Sequence, residues 1–98
     1  MPSITNHAEN RLKERCGLSK KARKRNVQKA LDDGIRHSEC SGKLKKYVDY
    51  LFLSYGLGNN IRIYGNHVYI FRNEILITVF ALPSRLRDAL KRCKEKRV

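Results

Sequence analysis

The sequence predicts a small α+β domain: N-terminal helices packed on a three-stranded antiparallel β-meander, with a basic helix closing the chain. Two observations carry that expectation. Apolar residues recur with helical spacing up to about residue 56, whereas residues 60 to 82 alternate with period two and are rich in Ile, Val, Tyr and Phe. The chain has 98 residues, of which 41% are hydrophobic, enough apolar matter for one folded core and too little length for a second. The whole chain (1–98) is therefore read as a single domain, with a helical part (5–55), an antiparallel sheet (60–82) and a C-terminal helix (84–96).

The first helix is expected from about Thr5 or Asn6 to Arg15. Asn6 and Glu9 form a capping-box pattern, Gly17 supplies a left-handed stop, and Ile4, Ala8, Leu12 and Cys16 form the apolar stripe. A second helix starts at Ser19 as N-cap and ends before Gly34, burying Ala22, Val27, Ala30 and Leu31. The third, about Gly42 to Tyr55, places Leu44, Tyr47, Val48, Leu51, Phe52 and Tyr55 on one side. Strands follow at Asn60–Tyr64, His67–Arg72 and Ile75–Leu82. Gly65-Asn66 is a two-residue hairpin turn that sets Ile63 opposite Val68, Arg62 opposite Tyr69 and Ile61 opposite Ile70. A second tight turn at Asn73-Glu74 would set Tyr69 opposite Thr78 and Val68 opposite Val79. One face then carries Ile61, Ile63, Val68, Ile70, Ile77 and Val79 under the helices. The other carries Arg62, Tyr64, His67, Tyr69, Phe71, Leu76, Thr78 and Phe80 and is read as aromatic, cationic and at least partly open. Ser84 is the expected cap of the last helix, whose apolar side is Leu86, Ala89, Leu90 and Cys93.

Twenty-two Lys and Arg residues stand against nine Asp and Glu, for a formal charge of +13. Such self-repulsion points to a polyanionic partner, most simply nucleic acid, with RNA favoured over DNA. No segment has the ~20 apolar residues of a membrane span, and Met1 to His7 lacks the apolar run of a signal peptide, so a soluble, cytoplasmic protein with no membrane partner is expected. Three scattered cysteines, Cys16, Cys40 and Cys93, form no C-x-x-C pair, and His37-x-x-Cys40 is at most half a metal site. No metal and no cofactor are expected.

Three groups of residues are candidates for function. On the first helix His7, Arg11 and Arg15 recur every fourth residue beside the apolar stripe, where an imidazole is partly fixed yet open to a ligand. The same spacing arises in any Lys/Arg-rich helix with a solvated basic face. Arg62, Tyr64 and Tyr69 on the sheet offer aromatic platforms and cations for bases and phosphates, unless a helix packs over them. Lys20, Lys21, Arg23 and Lys24 on the second helix add general phosphate attraction.

The run from Ile4 to Arg15, containing His7-Ala8, Arg11 and Arg15, resembles the H-A-x-x-R…R start of small bacterial and phage-borne domains of unknown function. Their last strand often reads like Ile77-Thr78-Val79. Asn60 to Asn66 and the stretch through Leu82-Pro83 look like uncharacterised basic proteins of phage and Firmicute type. These domains are similar in layout to the metal-independent ribonucleases and toxins that include barnase, colicin D and the RelE-type toxins. The specific matches are His7, Ala8, Arg11, Arg15 and Thr78, and the long third helix departs from the pattern.

The resemblance implies attack of an RNA 2′-hydroxyl on its neighbouring phosphate, with His7 moving a proton, Arg11 and Arg15 holding the phosphate and Thr78 positioning an oxygen. Tyr69, His67 or Tyr64 would be the second proton-transfer group. If the first helix covers the Ile-rich face, His7 and Thr78 start on opposite sides of the sheet and can meet only around an edge or a strongly twisted end. The leading reading is an RNA-binding protein with toxin-like ribonuclease chemistry implied by the resemblance. The alternatives are a non-catalytic nucleic-acid-binding accessory protein of phage or mobile-element origin, and an inhibitor of a host ribonucleoprotein.

Overall fold

The computed structural model describes residues 3–17, 19–54, 56 and 58–96. Tyr55 and the side chain of Cys16, both expected on apolar helix stripes, lie outside the described residues. In chain order the elements are β1 (Ser3–Ile4), α1 (Asn6–Cys16), α2 (Lys20–Asp33), β2 (Ile35–Arg36), a 3₁₀ turn (His37–Glu39), α3 (Gly42–Ser54), β3 (Asn60–Tyr64), β4 (His67–Arg72), β5 (Ile75–Ala81), a second 3₁₀ turn (Ser84–Leu86) and α4 (Arg87–Glu95). The class is α+β. The three expected strands are present, but they are the middle of a five-stranded mixed sheet of order β1-β5-β4-β3-β2. β1 pairs parallel with β5, and β2 antiparallel with β3. Each added strand is two residues long, too short for alternation to be legible in sequence.

Both faces of the sheet are covered. Leu44, Val48 and Leu51 of α3 and Leu86, Leu90 and Cys93 of the C-terminal region pack on Ile35, Ile61, Ile63, Val68 and Ile70. Ala8 and Leu12 of α1 and Val27 and Ala30 of α2 pack on Tyr69, Phe71, Leu76 and Val79. The expected open face is therefore corrected: Tyr69 keeps 2% of its surface. Phe71, Tyr69 and Leu76 carry too much apolar area to be left in water when two amphipathic helices are at hand. Phe52, expected in the core, is instead exposed beside the His37 ring.

Local chemistry explains the boundaries. The first helix begins at Asn6 because the Thr5 hydroxyl, not an Asn6–Glu9 box, accepts from the Ala8 amide at 3.1 Å. Ser19 caps α2 through the Ala22 amide, as its position suggests. Gly34 ends α2 where a Cβ would lie 2.4 Å from the Ala30 carbonyl oxygen and 3.0 Å from the Arg62 Cβ, so only glycine lets the chain turn into β2. The Gly65-Asn66 turn has positive φ at both residues (56° and 62°), the geometry that matches strand twist, and the β3–β4 register is the expected one. Ser84 makes no capping bond through its side chain, and it opens the 3₁₀ turn ahead of α4 rather than α4 itself.

The β4–β5 hairpin differs. Asn73 alone takes a positive φ in its turn, and Arg72↔Ile75 and Phe71↔Leu76 pair as a tight turn requires. Ile77 is then an extra residue on β5, so Ile70 faces Thr78, Tyr69 faces Val79 and Val68 faces Phe80. The expected Tyr69–Thr78 and Val68–Val79 pairs are thus displaced by one. Thr78 and Phe80 turn to the α3 side of the sheet, and Val79 to the α1 side.

Candidate functional site

Beyond Leu76 no described strand lies along the outer side of β5, because β1 covers only Ile75 and Leu76. A groove of about 580 Å³ follows this edge. Its floor is Thr78, Val79, Phe80 and Ala81; one wall is His7, Arg11 and Arg15 of α1, and the other is Tyr50, Leu51 and Ser54 of α3. None of these lining residues is acidic. All four residues expected to carry chemistry, His7, Arg11, Arg15 and Thr78, are in this one groove.

Thr5 explains how they meet. Its amide donates to the Leu76 carbonyl at 3.1 Å and its hydroxyl donates to the Ile77 carbonyl at 3.3 Å, while the same hydroxyl oxygen starts α1. The helix is thereby launched from the bulge itself. Two residues later His7 reaches around the β5 edge and its Nε2 comes to 3.4 Å from Thr78 Oγ1. The contact is long for a hydrogen bond, and either atom can be the donor, according to the imidazole tautomer. His7 is exposed, whereas Thr78 retains only 6% of its surface. Thr78 is thus better placed to orient the ring than to meet a ligand directly.

Arg11 reaches Glu14 at 3.6 Å on the outer side of α1, a weak exposed pair that a phosphate would readily displace. Arg15, one turn further along, extends the cationic wall. His7, Arg11 and Arg15 stand in line facing a strand edge, and with no acidic residue lining the groove this arrangement suits anions better than a cation.

The other expected binding residues lie elsewhere. Lys20, Lys21 and Lys24 are exposed on α2. Arg23 is drawn into a 2.8 Å ion pair with Glu9 that joins α2 to α1, leaving its side chain 13% exposed, so it holds the two helices together. Arg62 is likewise structural: its Nη1 donates to the Leu31 carbonyl at 2.8 Å, satisfying one of the last carbonyls of α2, and its Nε donates to Asn60 Oδ1. Tyr69 is buried beneath α1 and α2, and Tyr64 is half-buried at the far end of the sheet beside Asn26, Asp33 and Lys94. Neither lines the groove, nor does His67, whose Nδ1 lies 3.0 Å from the Gly65 carbonyl. None of Tyr64, His67 and Tyr69 therefore serves as a second proton-transfer group there.

Tyr50 and Ser54, which the sequence reading passed over, complete the groove. Their i, i+4 spacing on α3 is the signal in the sequence, masked by the stronger apolar pattern of Leu44, Val48 and Leu51 on the same helix. No group of three or more His, Cys, Asp or Glu side chains suited to a metal ion occurs among the described residues. His37 pairs with Asp49, and the Cys40 thiol is buried against the Arg36 carbonyl at 3.4 Å. Burial pushes the Cys40 pKa up to about 12, which removes it as a nucleophile. No helix among the described residues is long and apolar enough to cross a membrane.

No protein-family model matches the chain, and neither curated proteins nor solved structures give a significant match.

Proposed function

We propose that this protein binds RNA along the β5 edge and cleaves it without a metal ion. The observation that carries the reading is the convergence of His7, Arg11, Arg15 and Thr78, from opposite ends of the chain, in one groove without acidic side chains. An isolated basic stripe on a helix is common; an imidazole at its head, oriented by a buried hydroxyl and flanked by two guanidinium groups, is suited to phosphate chemistry. In this reaction the 2′-oxygen attacks the adjacent phosphorus while His7 accepts the hydroxyl proton. The bond from phosphorus to the 5′-oxygen breaks, and that oxygen takes a proton from water in the open groove. A 2′,3′-cyclic phosphate and a 5′-hydroxyl result. Arg11 and Arg15 balance the charge that accumulates on the phosphate oxygens, a planar fork being better matched to two oxygens than an ammonium group.

The test is incubation with single-stranded RNA in excess EDTA, with end-group analysis of the products. Cyclic phosphate termini are expected from the wild type. His7→Ala should slow their formation by ~10² to 10⁴ while RNA affinity, spread over many cations, changes little. Arg11→Ala should also slow the reaction, with Arg11→Lys recovering part of the rate. RNA left intact by the wild type under all conditions would remove the catalytic step and leave a nucleic-acid-binding groove.

A further inference from the structure

Next to the groove, on the same helix wall, is a second cleft of about 380 Å³ lined by Lys43, Lys46, Tyr47 and Tyr50 of α3 and Arg85 of the turn before α4. Tyr50 lines both cavities. Lys43, Lys46, Tyr47 and Tyr50 follow one another at i, i+3, i+4 and i+7, a continuous face of α3 adjoining the Leu44, Val48 and Leu51 face that enters the core. Charge on this helix is used in two ways. Lys45 is committed to Asp49 at 2.9 Å, whereas Lys43, Lys46 and Arg85 form no ion pair among the described residues. Tyr50 is 66% exposed although its ring would be sheltered by any ligand bridging the two clefts.

Resting on the RNA reading given above, we propose that this cleft is a second nucleotide subsite, which stacks the unpaired base of a neighbouring nucleotide on Tyr50 and Tyr47 and holds its phosphate with Lys43, Lys46 and Arg85. Cations alone would suit any polyanion, including an acidic peptide. The tyrosines decide between them, because a flat π-face is what a base offers and a carboxylate does not. Bases in a duplex are already stacked on one another and turned away from the surface, so the subsite selects single strands. Every base has such a face, so the selection tolerates sequence. The strand would cross the Tyr50 ridge with one nucleotide against His7, Arg11 and Arg15 and the next against α3. The substrate class is therefore single-stranded RNA long enough to span both clefts, and not a duplex.

The experiment is fluorescence anisotropy with a labelled eight-nucleotide RNA carrying 2′-O-methyl groups throughout, compared with the duplex of the same sequence. Neither probe can be cleaved, so the result is independent of catalysis. The wild type should prefer the single strand at least ~10-fold at matched salt. Tyr50→Ala should weaken single-strand binding ~5- to 100-fold and collapse that preference, whereas Tyr50→Phe, which keeps the ring, should retain it. Lys43→Gln with Lys46→Gln should lower the slope of log affinity against log salt by ~0.7, the value for one phosphate contact on a single strand. Coincident thermal melts would show that these exposed positions leave the fold intact. Equal affinity for strand and duplex in the wild type, unchanged selectivity in Tyr50→Ala, or tighter binding of a poly-glutamate peptide than of RNA would each overturn the subsite. Intact RNA in the cleavage assay would instead bear on the catalytic step alone, and the binding result would stand.

Discussion

The hairpin joined at Gly65-Asn66 is regular from end to end, pairing Tyr64 with His67 through Asn60 with Phe71. The hairpin joined at Asn73-Glu74 pairs regularly for two steps and then gains Ile77 on one strand. The first builds the fold: its alternating side chains feed one core above the sheet and one below. The second builds the site, since the extra residue turns Thr78 toward α3, and Thr5 hydrogen-bonds at the same bulge to begin the helix that carries His7. A bulge re-aims every side chain beyond it at the cost of one unpaired position. The chain places that local irregularity where a buried hydroxyl must face an exposed imidazole.

Deleting Ile77 is the most severe way to break the contrast. It would make the β4–β5 ladder regular with Thr78 still opposite Ile70 and Val79 still opposite Tyr69, and it would remove the Ile77 carbonyl to which the Thr5 hydroxyl is tied, so that α1, with Ala8 and Leu12 in the core, loses its starting point. Destabilisation of at least the ~2 to 5 kcal/mol of a single core truncation is expected in a urea melt, together with loss of any RNA cleavage. A deletion variant as stable as the wild type would mean that the bulge has no structural role.

Ile70→Ala tests the regular hairpin. Ile70 is fully buried among α3 and α4 side chains and should cost ~2 to 5 kcal/mol. The same variant should hasten alkylation of Cys40. That thiol belongs to the same core, and with its pKa raised to about 12 it reacts at neutral pH only when this face opens. Acceleration of Cys40 labelling by a substitution on the α1 side of the sheet, with no change for Ile70→Ala, would contradict the division into two cores.

Arg62→Ala separates the residue's two readings at an intermediate size of effect. As a solvated phosphate ligand its loss would leave the fold intact. As the partner of the Leu31 carbonyl and Asn60 it should cost ~1.5 to 3 kcal/mol, the range for hydrogen bonds to a charged group, and change RNA affinity little.

This residue also shows where the sequence was legible and where it was not. The helices, the three long strands, the first hairpin's register and the grouping of His7, Arg11 and Arg15 followed from periodicity and turn chemistry, which act over a few residues. Whether Arg62 and Tyr69 faced solvent depended on what packed over them, and α1 and α2 cover that face through contacts distant in sequence. The bulge at Ile77 was invisible because Ile75 to Val79 is apolar in either register, so no polar residue except Thr78 marks the slip. The two-residue strands β1 and β2 carry no pattern at all. The two faces of the Thr78 problem, its side of the sheet and its access to His7, were therefore decided by one inserted residue and by the Thr5 hydroxyl.

Thr78 itself offers the smallest and sharpest test. Replacing it by Val keeps the branched shape in a nearly closed position and removes only the oxygen that lies 3.4 Å from His7. If the hydroxyl orients the imidazole, cleavage should fall by the equivalent of one modest hydrogen bond, ~1 kcal/mol or about fivefold, in kcat rather than KM. Thr78→Ser, which keeps the hydroxyl and loses a methyl group, should recover the rate at some expense in stability. Wild-type kcat in Thr78→Val would assign Thr78 to packing alone, and the bulge would then serve the shape of the groove without aiding its chemistry.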